Sequence, residues 1–267
     1  MKKFLSILMA AAMLLSVCAL TACGGSEEPA PTDDTAESDA VFTTVNPGKL
    51  TMSTNAAFPP YEMTTDSGDF EGIDVEIAGA IAEKLGLELQ VDDMDFDAAL
   101  TAAQEGKSDM VMAGVTVTED RMLVMDFSDS YAEGVQVVIV KEGSDIATID
   151  DLEGKMIGTQ RGTTGNIYST DDYGEEHMTS YDNGITAVQA LMNGQVDCVV
   201  IDKAPAQSFV AANPGLLILD TEYAVENYAI GLGKGNTALL EAINAALAEL
   251  TEDGTIQAIV DKYISAE

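Results

Sequence analysis

The sequence predicts an α/β protein of two lobes, each built on a mostly parallel sheet flanked by helices, with two strands connecting the lobes. Short apolar runs that suit buried strands alternate along the chain with segments of helical periodicity. This alternation is typical of β-α-β units, whose crossover helices cover a parallel sheet. The last two predicted helices, 237–250 and 255–263, bring no sheet of their own, which indicates that the chain returns to its first lobe.

The first predicted unit has the order β-α-β-α-β. Its two helices carry apolar residues at helical spacing, and each stops at a glycine, Gly86 or Gly106, as helices commonly do. A short helix follows, for which Thr118 is the predicted N-cap. The elements of this unit are predicted at Lys49–Ser53, Asp74–Leu85, Leu87–Val91, Phe96–Glu105 and Asp109–Ala113.

A second unit of the same kind begins near residue 135. The loop 161–165 (RGTTG) opens a helix after the second strand of this unit. Strands are predicted at Val135–Val140, Met156–Gln160, Asp197–Ile201 and Tyr228–Leu232, and helices at Asn183–Met192 and Ala204–Ala211.

The order of the two units predicts that one lobe is inserted into the other. We define lobe 1 as residues 46–130 plus 229–267 and lobe 2 as residues 136–224. The segments 131–135 and 225–228 then connect the lobes, and paired connections of this kind act as hinges. The sequence therefore predicts a protein that can close around a ligand.

Composition and motifs exclude binding of nucleic acids and argue against an enzyme. The 267-residue chain has 46 acidic and 12 basic residues, a net charge of -34, which would repel a nucleic acid backbone. Enzyme motifs such as Gly-x-Ser-x-Gly, a phosphate-binding loop or His-Glu-x-x-His do not occur, and the single histidine, His177, lies in a polar stretch. Cys198 has no partner cysteine in the predicted lobes, so we expect a buried small apolar residue, and no metal or cofactor.

The N-terminus predicts export. Lys2 and Lys3 precede the apolar run 4–20, which is the pattern of a secretory signal, although an uncleaved anchor helix has the same length. The residues that follow (Leu-Thr-Ala-Cys23) resemble the bacterial lipoprotein box, which implies cleavage after residue 22 and diacylation of Cys23. Residues 23–45 are rich in Pro, Ser, Thr and acids, which favours a flexible tether. We expect a protein anchored to the outer face of the cell membrane, or a periplasmic lipoprotein.

Arg121 is the first candidate for ligand binding. The chain contains only two arginines, Arg121 and Arg161, and a guanidinium can hold a carboxylate with two parallel hydrogen bonds. Arg121 follows a strand end, a hydroxyl and a predicted helix start within the segment 113–121. From these residues alone, a surface salt bridge is the competing interpretation.

Several motifs together resemble the polar amino acid-binding proteins of ATP-driven importers, over nearly all of residues 46–267. The resemblance implies a type II periplasmic-binding-protein-like fold, an amino acid held between the lobes, a monomer, and the permease subunits of an ABC importer as partner. The motifs are Thr54–Glu62 (TNAAFPPYE), Gly72–Glu76 (GIDVE), Ala113–Arg121 (AGVTVTEDR), Asp126–Asp129 (DFSD), and Gly154–Gly158 (GKMIG) followed by Gly162-Thr163.

The same resemblance implies how the two ends of an amino acid are held. Arg121 would grip the α-carboxylate with the backbone N–H groups of Thr116 and Thr164. Asp202 would take the α-ammonium with the Thr116 hydroxyl and the Gly114 carbonyl. Asp202 also precedes a predicted helix, so it is a candidate N-cap and could serve both roles.

The side-chain end of the implied site contains neutral groups. Phe58 and Phe96 would sandwich the ligand side chain. The amide of Asn55 stands where many relatives that bind glutamine or basic amino acids have an aspartate, and Gln160 stands where a glutamine-binding relative would have a lysine. Two amides suit either a polar uncharged or a long cationic side chain, and the acidic surface favours arginine, lysine or histidine. The complete predicted site is Asn55, Phe58, Phe96, Gly114, Thr116, Arg121, Gln160, Thr163, Thr164 and Asp202.

Two other functions are compatible with this fold. Exported enzymes such as cyclohexadienyl dehydratases share it, and Glu62 and Asp202 would be the candidate acid and base. A ligand-sensing lipoprotein is the second alternative. A purely structural lipoprotein would leave the pairing of Arg121 with Asp202 without a purpose.

Overall fold

A computed structural model of the chain describes residues 42–264. The predicted signal segment, Cys23 and the tether up to residue 41 lie outside these residues. Among the helices that the structure describes, none combines the length and the apolar character needed to cross a bilayer.

The described residues form one nine-stranded mixed sheet, a separate three-stranded sheet and helices that cover them. The strand order in the large sheet is β5-β1-β6-β12-β7-β10-β8-β9, with β11 paired to β7, and the small sheet has the order β2-β3-β4. The strands are β1 (Lys49–Thr54), β2 (Ala57–Phe58), β3 (Glu62–Thr64), β4 (Phe70–Glu71), β5 (Glu88–Asp93), β6 (Met110–Val111), β7 (Met125–Lys141), β8 (Ile157–Gln160), β9 (Met178–Tyr181), β10 (Cys198–Asp202), β11 (Leu216–Ile218) and β12 (Ala224–Gly233). The helices are α1 (Ile73–Lys84), α2 (Phe96–Gln104), α3 (Glu119–Val124), α4 (Thr164–Tyr173), α5 (Gly184–Met192), α6 (Lys203–Ala212), α7 (Thr237–Glu252) and α8 (Thr255–Tyr263).

The predicted parallel pairing is confirmed on both sides of the large sheet. In lobe 1, β1 pairs in parallel with β5 and β6. In lobe 2, β8 pairs in parallel with β9 and β10. The strands β7 and β12 lie between these two sets and pair with each other in antiparallel orientation. The architecture is therefore the two-lobed α/β fold that the sequence predicts.

The central strands are longer than the sequence predicts. The predicted Val135–Val140 is part of β7, which has 17 residues, and the predicted Tyr228–Leu232 is part of β12, which has 10. Polar residues interrupt the apolar pattern in both strands, so periodicity alone marks only their most buried parts. The predicted hinge segments lie inside this pair, where Glu226 is opposite Gly134. Their role as hinges remains a prediction.

Both lobes contain further differences from the predicted elements. The strand predicted at Asp109–Ala113 is ordered as a strand only at β6. The short strands β2–β4, β9 and β11 have two to four residues each, too few to produce a readable alternation. The helices α1, α2 and α5 match their predictions to within one or two residues at each end, and Cys198 is fully buried, as predicted.

Tyr228 is the fully buried side chain on which the central strands pack. Its ring lies edge-on to Tyr61, with 5.3 Å between the ring centroids, and 6.5 Å from the ring of Tyr131. Across the strand pair, a Cβ atom built on Gly134 would lie only 2.5 Å from the Tyr228 ring. The close approach of β7 to this ring therefore requires a glycine.

We predict that Gly134→Ala destabilises the protein by about 1–3 kcal/mol, because the added methyl group forces Tyr228 out of its packed position. Chemical denaturation followed by circular dichroism measures the free energy of unfolding. Gly79→Ala is the matched control. Gly79 lies in α1, and a Cβ atom built on it would have its nearest neighbour, Leu89 Cδ2, at 4.0 Å. That change should stabilise by a few tenths to about 1 kcal/mol. Equal effects of the two substitutions would contradict the packing argument.

Candidate functional site

All of the predicted ligand-binding residues line one cleft, together with Glu62 and Ala113. The cavity between the walls of this cleft has a volume of only about 10 Å³, so the walls lie close together. Most of the residues stand at or just after strand ends, or at helix starts, where ligands commonly bind in α/β folds. The sequence prediction that these residues lie together agrees with the structure, while their roles in binding remain predictions.

Arg121 is held in the cleft wall by its own helix. Thr118 is the N-cap of α3, as predicted, and its hydroxyl accepts a hydrogen bond from the Arg121 backbone N–H at 3.2 Å. The guanidinium donates to the carbonyl oxygens of Thr116 at 2.7 Å and Gly162 at 3.0 Å. Both acceptors are neutral, so these contacts position the guanidinium without neutralising its charge.

The surroundings of Arg121 shift the pKa of its guanidinium in two opposite directions. The side chain is only 8% exposed, and burial lowers the pKa of the guanidinium, while the negative charges of Glu226 and Asp202 act against this. The guanidinium carbon lies 5.5 Å from the centroid of the Phe96 ring, within the range of a cation–π contact. A buried cation in a cleft is a strong attractor for a carboxylate.

Asp202 ends β10 and precedes α6. It occupies the N-cap position, but its carboxylate accepts no hydrogen bond from the N–H groups of that helix. The carboxylate instead accepts from the Tyr228 hydroxyl and from Gln136 Nε2, the latter at 2.7 Å. Burial raises the pKa of Asp202 to about 7. Of the two roles considered from the sequence, the Asp202 side chain therefore does not cap α6 through a hydrogen bond, and its role in ligand binding stays a prediction.

The start of α4 supplies the other wall of the cleft. Thr163 is its N-cap, and the Thr163 hydroxyl accepts a hydrogen bond from the Asn166 N–H at 3.3 Å. Thr164 is the first helical residue and is buried. Backbone N–H groups and the helix dipole favour a negative charge at this end. This wall therefore suits the same anionic group that Arg121 would bind.

Two amides meet at the other end of the cleft. Asn55 Nδ2 donates to the Met94 carbonyl oxygen at 2.8 Å, and Gln160 Nε2 donates to Asn55 Oδ1 at 3.0 Å. Because a carbonyl can only accept, the Asn55 amide nitrogen must face Met94 and its oxygen must face Gln160. The remaining capacity of the pair includes oxygen lone pairs on both amides, which accept hydrogen bonds from donors.

Glu62 and Asp74 form a buried acid pair beneath the cleft. Burial, and then the nearby Asp74, raise the pKa of Glu62 well above its usual range, and burial raises the pKa of Asp74 to about 7. Among the described residues, no donor reaches the Glu62 oxygens, whereas Asp74 Oδ2 accepts from Gly114 N–H and Tyr131 OH, both at 2.8 Å. Adjacent buried carboxyls share a proton. Asp74 thus holds the Gly114 loop in place.

The sequence analysis missed Gln136 and Glu226, which are both buried beside the predicted site. Gln136 Nε2 donates to Asp202 and to Glu226, at 2.7 and 2.9 Å. A signal was present in the sequence, because a glutamine begins the apolar stretch 136–140 and a glutamate shares a strand face with Tyr228. Polar residues at core positions of strands are unusual and often functional.

Comparisons with known proteins place the chain among proteins that bind solutes. Residues 50–266 match the family described as bacterial extracellular solute-binding proteins, family 3. A curated relative, the probable histidine-binding protein of Neisseria gonorrhoeae, is 34% identical over 100% of this chain and 97% of its own length. The arginine-binding extracellular protein ArtP of Bacillus subtilis is 30% identical over 100% of both chains.

A solved structure gives the same result for the fold. An ancestral arginine-binding protein bound to glutamine is 40% identical, with a TM-score of 0.78, and the match covers 82% of this chain and 99% of that one. The similarity therefore extends over the full length of known binding proteins.

The Glu62–Asp74 pair predicts a pH dependence of stability. A carboxyl whose pKa is raised by folding stabilises the native state while it is protonated, and this stability is lost as the pH rises from its ordinary pKa of about 4.3 towards the raised value. Glu62→Gln removes that titration. Between pH 5 and pH 8 we expect the free energy of unfolding to fall in both proteins. The fall should be smaller in the variant than in the wild type, by at least about 1 kcal/mol.

Denaturant unfolding at a series of pH values measures this difference. Glu83→Gln, at an exposed position of α1, is the control and should follow the wild-type curve. Parallel pH profiles for wild type and Glu62→Gln would rule out a shared proton at this pair.

Proposed function

Because the chain belongs to family 3 of the bacterial extracellular solute-binding proteins, we propose that its cleft holds a polar L-amino acid by both α groups and delivers it to an ABC importer. The chain is a binding protein rather than an enzyme, in keeping with its curated relatives. Its place is outside the cytoplasmic membrane, as the description of the family indicates.

One observation carries the proposed mode of binding. A guanidinium, Arg121, and a carboxylate, Asp202, line the same cleft and are both more than nine-tenths buried. Opposite charges fixed in one cleft match the two ends of a zwitterion. Arg121 and the start of α4 receive the α-carboxylate, and Asp202, with the Gly114 carbonyl, receives the α-ammonium.

We further propose that the ligand side chain is a cationic hydrogen-bond donor, with L-arginine as the first candidate. The amides of Asn55 and Gln160 offer oxygen acceptors, and the aromatic rings of Phe58 and Phe96 line the cleft. The net charge of -34 attracts cations to the surface. Relatives named for histidine and arginine support the choice, and the arginine-binding structure bound to glutamine makes glutamine the second candidate.

We also propose that Cys23 carries the lipid anchor that the sequence predicts. The apolar run 4–20, followed by Leu-Thr-Ala-Cys, supports cleavage before Cys23 and acylation of its thiol. A tether of some twenty residues between the anchor and β1 would keep the cleft close to the importer.

The amino acid panel is the decisive experiment for the function. We expect the midpoint of thermal unfolding of the purified chain to rise with L-arginine, or with another donor-rich amino acid, because a ligand at 100 times its Kd stabilises by about 2.7 kcal/mol. Arg121→Ala should abolish the rise. Arg161→Ala is the matched control and should retain it, since Arg161 is half-exposed and pairs with Asp182 at 2.9 Å. A flat response to all twenty amino acids would refute the proposed function.

The lipid anchor has its own test. Cys23→Ala should abolish labelling with radioactive palmitate, because the thiol that would be acylated is gone. Cys18→Ala, within the predicted signal, should leave the labelling unchanged. Labelling that survives Cys23→Ala would refute acylation at this cysteine.

A further inference from the structure

Glu226 is a buried acid to which the proposed function assigns no contact with the amino acid. It lies on β12, opposite Gly134 of β7, and is 5% exposed. Its oxygen Oε2 accepts three hydrogen bonds, from Thr116 Oγ1 at 3.1 Å, Thr164 Oγ1 at 3.0 Å and Gln136 Nε2 at 2.9 Å. A buried carboxylate needs such compensation, and here Oε2 receives all of it, while Oε1 has no hydrogen-bond partner among the described residues.

The three donors come from different parts of the protein. Thr116 belongs to lobe 1, and its backbone also bridges to Tyr228 of β12. Thr164 is the first residue of α4 in lobe 2, and Gln136 lies on the central strand β7. One carboxylate oxygen therefore joins both walls of the cleft to the strand pair that connects the lobes.

These hydrogen bonds depend on the relative position of the lobes. Because Thr116 is bridged to β12 through its backbone, it keeps its distance to Glu226 when the lobes separate. Thr164 is carried by α4, so rotation of lobe 2 lengthens its hydrogen bond to Glu226. Of the three donors, Thr164 is the one carried by a helix of lobe 2 and not by the central strands or their backbone bridge. Its hydrogen bond to Glu226 is therefore the one expected to change most when lobe 2 rotates.

Glu226 also touches the binding chemistry indirectly. Gln136 uses both hydrogens of its amide nitrogen, one for Glu226 and one for Asp202. Thr116 and Thr164 are the residues whose backbone N–H groups stand at the proposed carboxylate site. Displacement of Glu226 would thus disturb both ends of the proposed ligand at once.

We propose that Glu226 is a positioning residue that couples ligand capture to lobe closure, by accepting the Thr116 and Thr164 hydroxyls on one oxygen when the cleft is shut. The ligand part of this proposal rests on the proposed function. The closure part concerns the protein alone and can be tested without a ligand.

The test compares two substitutions of Glu226. Glu226→Ala removes the acceptor, so we expect the Kd for L-arginine, measured by titration calorimetry, to rise at least about tenfold. Glu226→Gln keeps a carbonyl oxygen whose two lone pairs can accept from the Thr116 and Thr164 hydroxyls, so we expect a Kd within about threefold of wild type. Glu222→Ala, at an exposed position just before β12, is the control and should bind as wild type does.

Closure is measured separately by the distance between spin labels on the two lobes. Leu123→Cys in α3 and Ile185→Cys in α5 provide exposed attachment points. Cys198 is fully buried, and Cys18→Ser with Cys23→Ser removes the two other native cysteines. We expect Glu226→Ala to lengthen the mean distance between the labels and Glu226→Gln to leave it unchanged. A role in stability alone would move the unfolding midpoint but not this distance.

Several results would overturn the proposal. Unchanged closure in Glu226→Ala would do so, as would an equal loss of affinity in the Ala and Gln variants, which would assign the effect to charge instead of hydrogen bonding. Should Glu226→Ala not fold, Thr164→Val removes one hydroxyl donor and keeps the backbone, and it must lengthen the label distance. Absence of L-arginine binding in the wild type would refute the choice of ligand, while the label distances still decide the role of Glu226.

Discussion

The cleft depends on the burial of charges that no apolar core can compensate. Arg121, Asp202 and Glu226 are each more than nine-tenths buried, and an isolated buried ion is costly. The protein meets this cost with carbonyl oxygens for the guanidinium and with hydroxyl and amide donors for the carboxylates. These partners come from both lobes and from the central strands. The need to satisfy a few charges therefore determines how the two halves of the sheet meet.

Much of the fold could be predicted from the sequence because its signals are local. Helices such as α1 and α5 carry apolar residues at helical spacing and end at glycines or polar caps. Strands buried on both faces, such as β10, appear as short apolar runs. The full extent of β7 could not be predicted in this way, because its pairing with β12 is long-range and continues through polar residues.

The residues of the site also divide into those that the sequence predicts and those that it does not. The motifs around Arg121 and Asp202 occur in an order that resembles a known family, and the structure brings these residues into one cleft. Gln136 and Glu226 carry no motif of their own. Their importance follows from the register of β7 against its two neighbours. On β10, Asp202 lies opposite Gln136, and on β12 Glu226 is two residues beyond Ala224, which lies opposite the same Gln136. Register is a property of the folded sheet, so single-sequence reasoning does not reach it.

The hydrogen bond from Asn55 to the Met94 carbonyl gives one main-chain atom control over a side chain of the cleft. It fixes the Asn55 amide so that oxygen, and not nitrogen, points to Gln160. Because the controlling carbonyl belongs to the backbone, mutation of the side chain at position 94 leaves it in place. The orientation of the Asn55 amide can therefore persist while the surrounding sequence diverges.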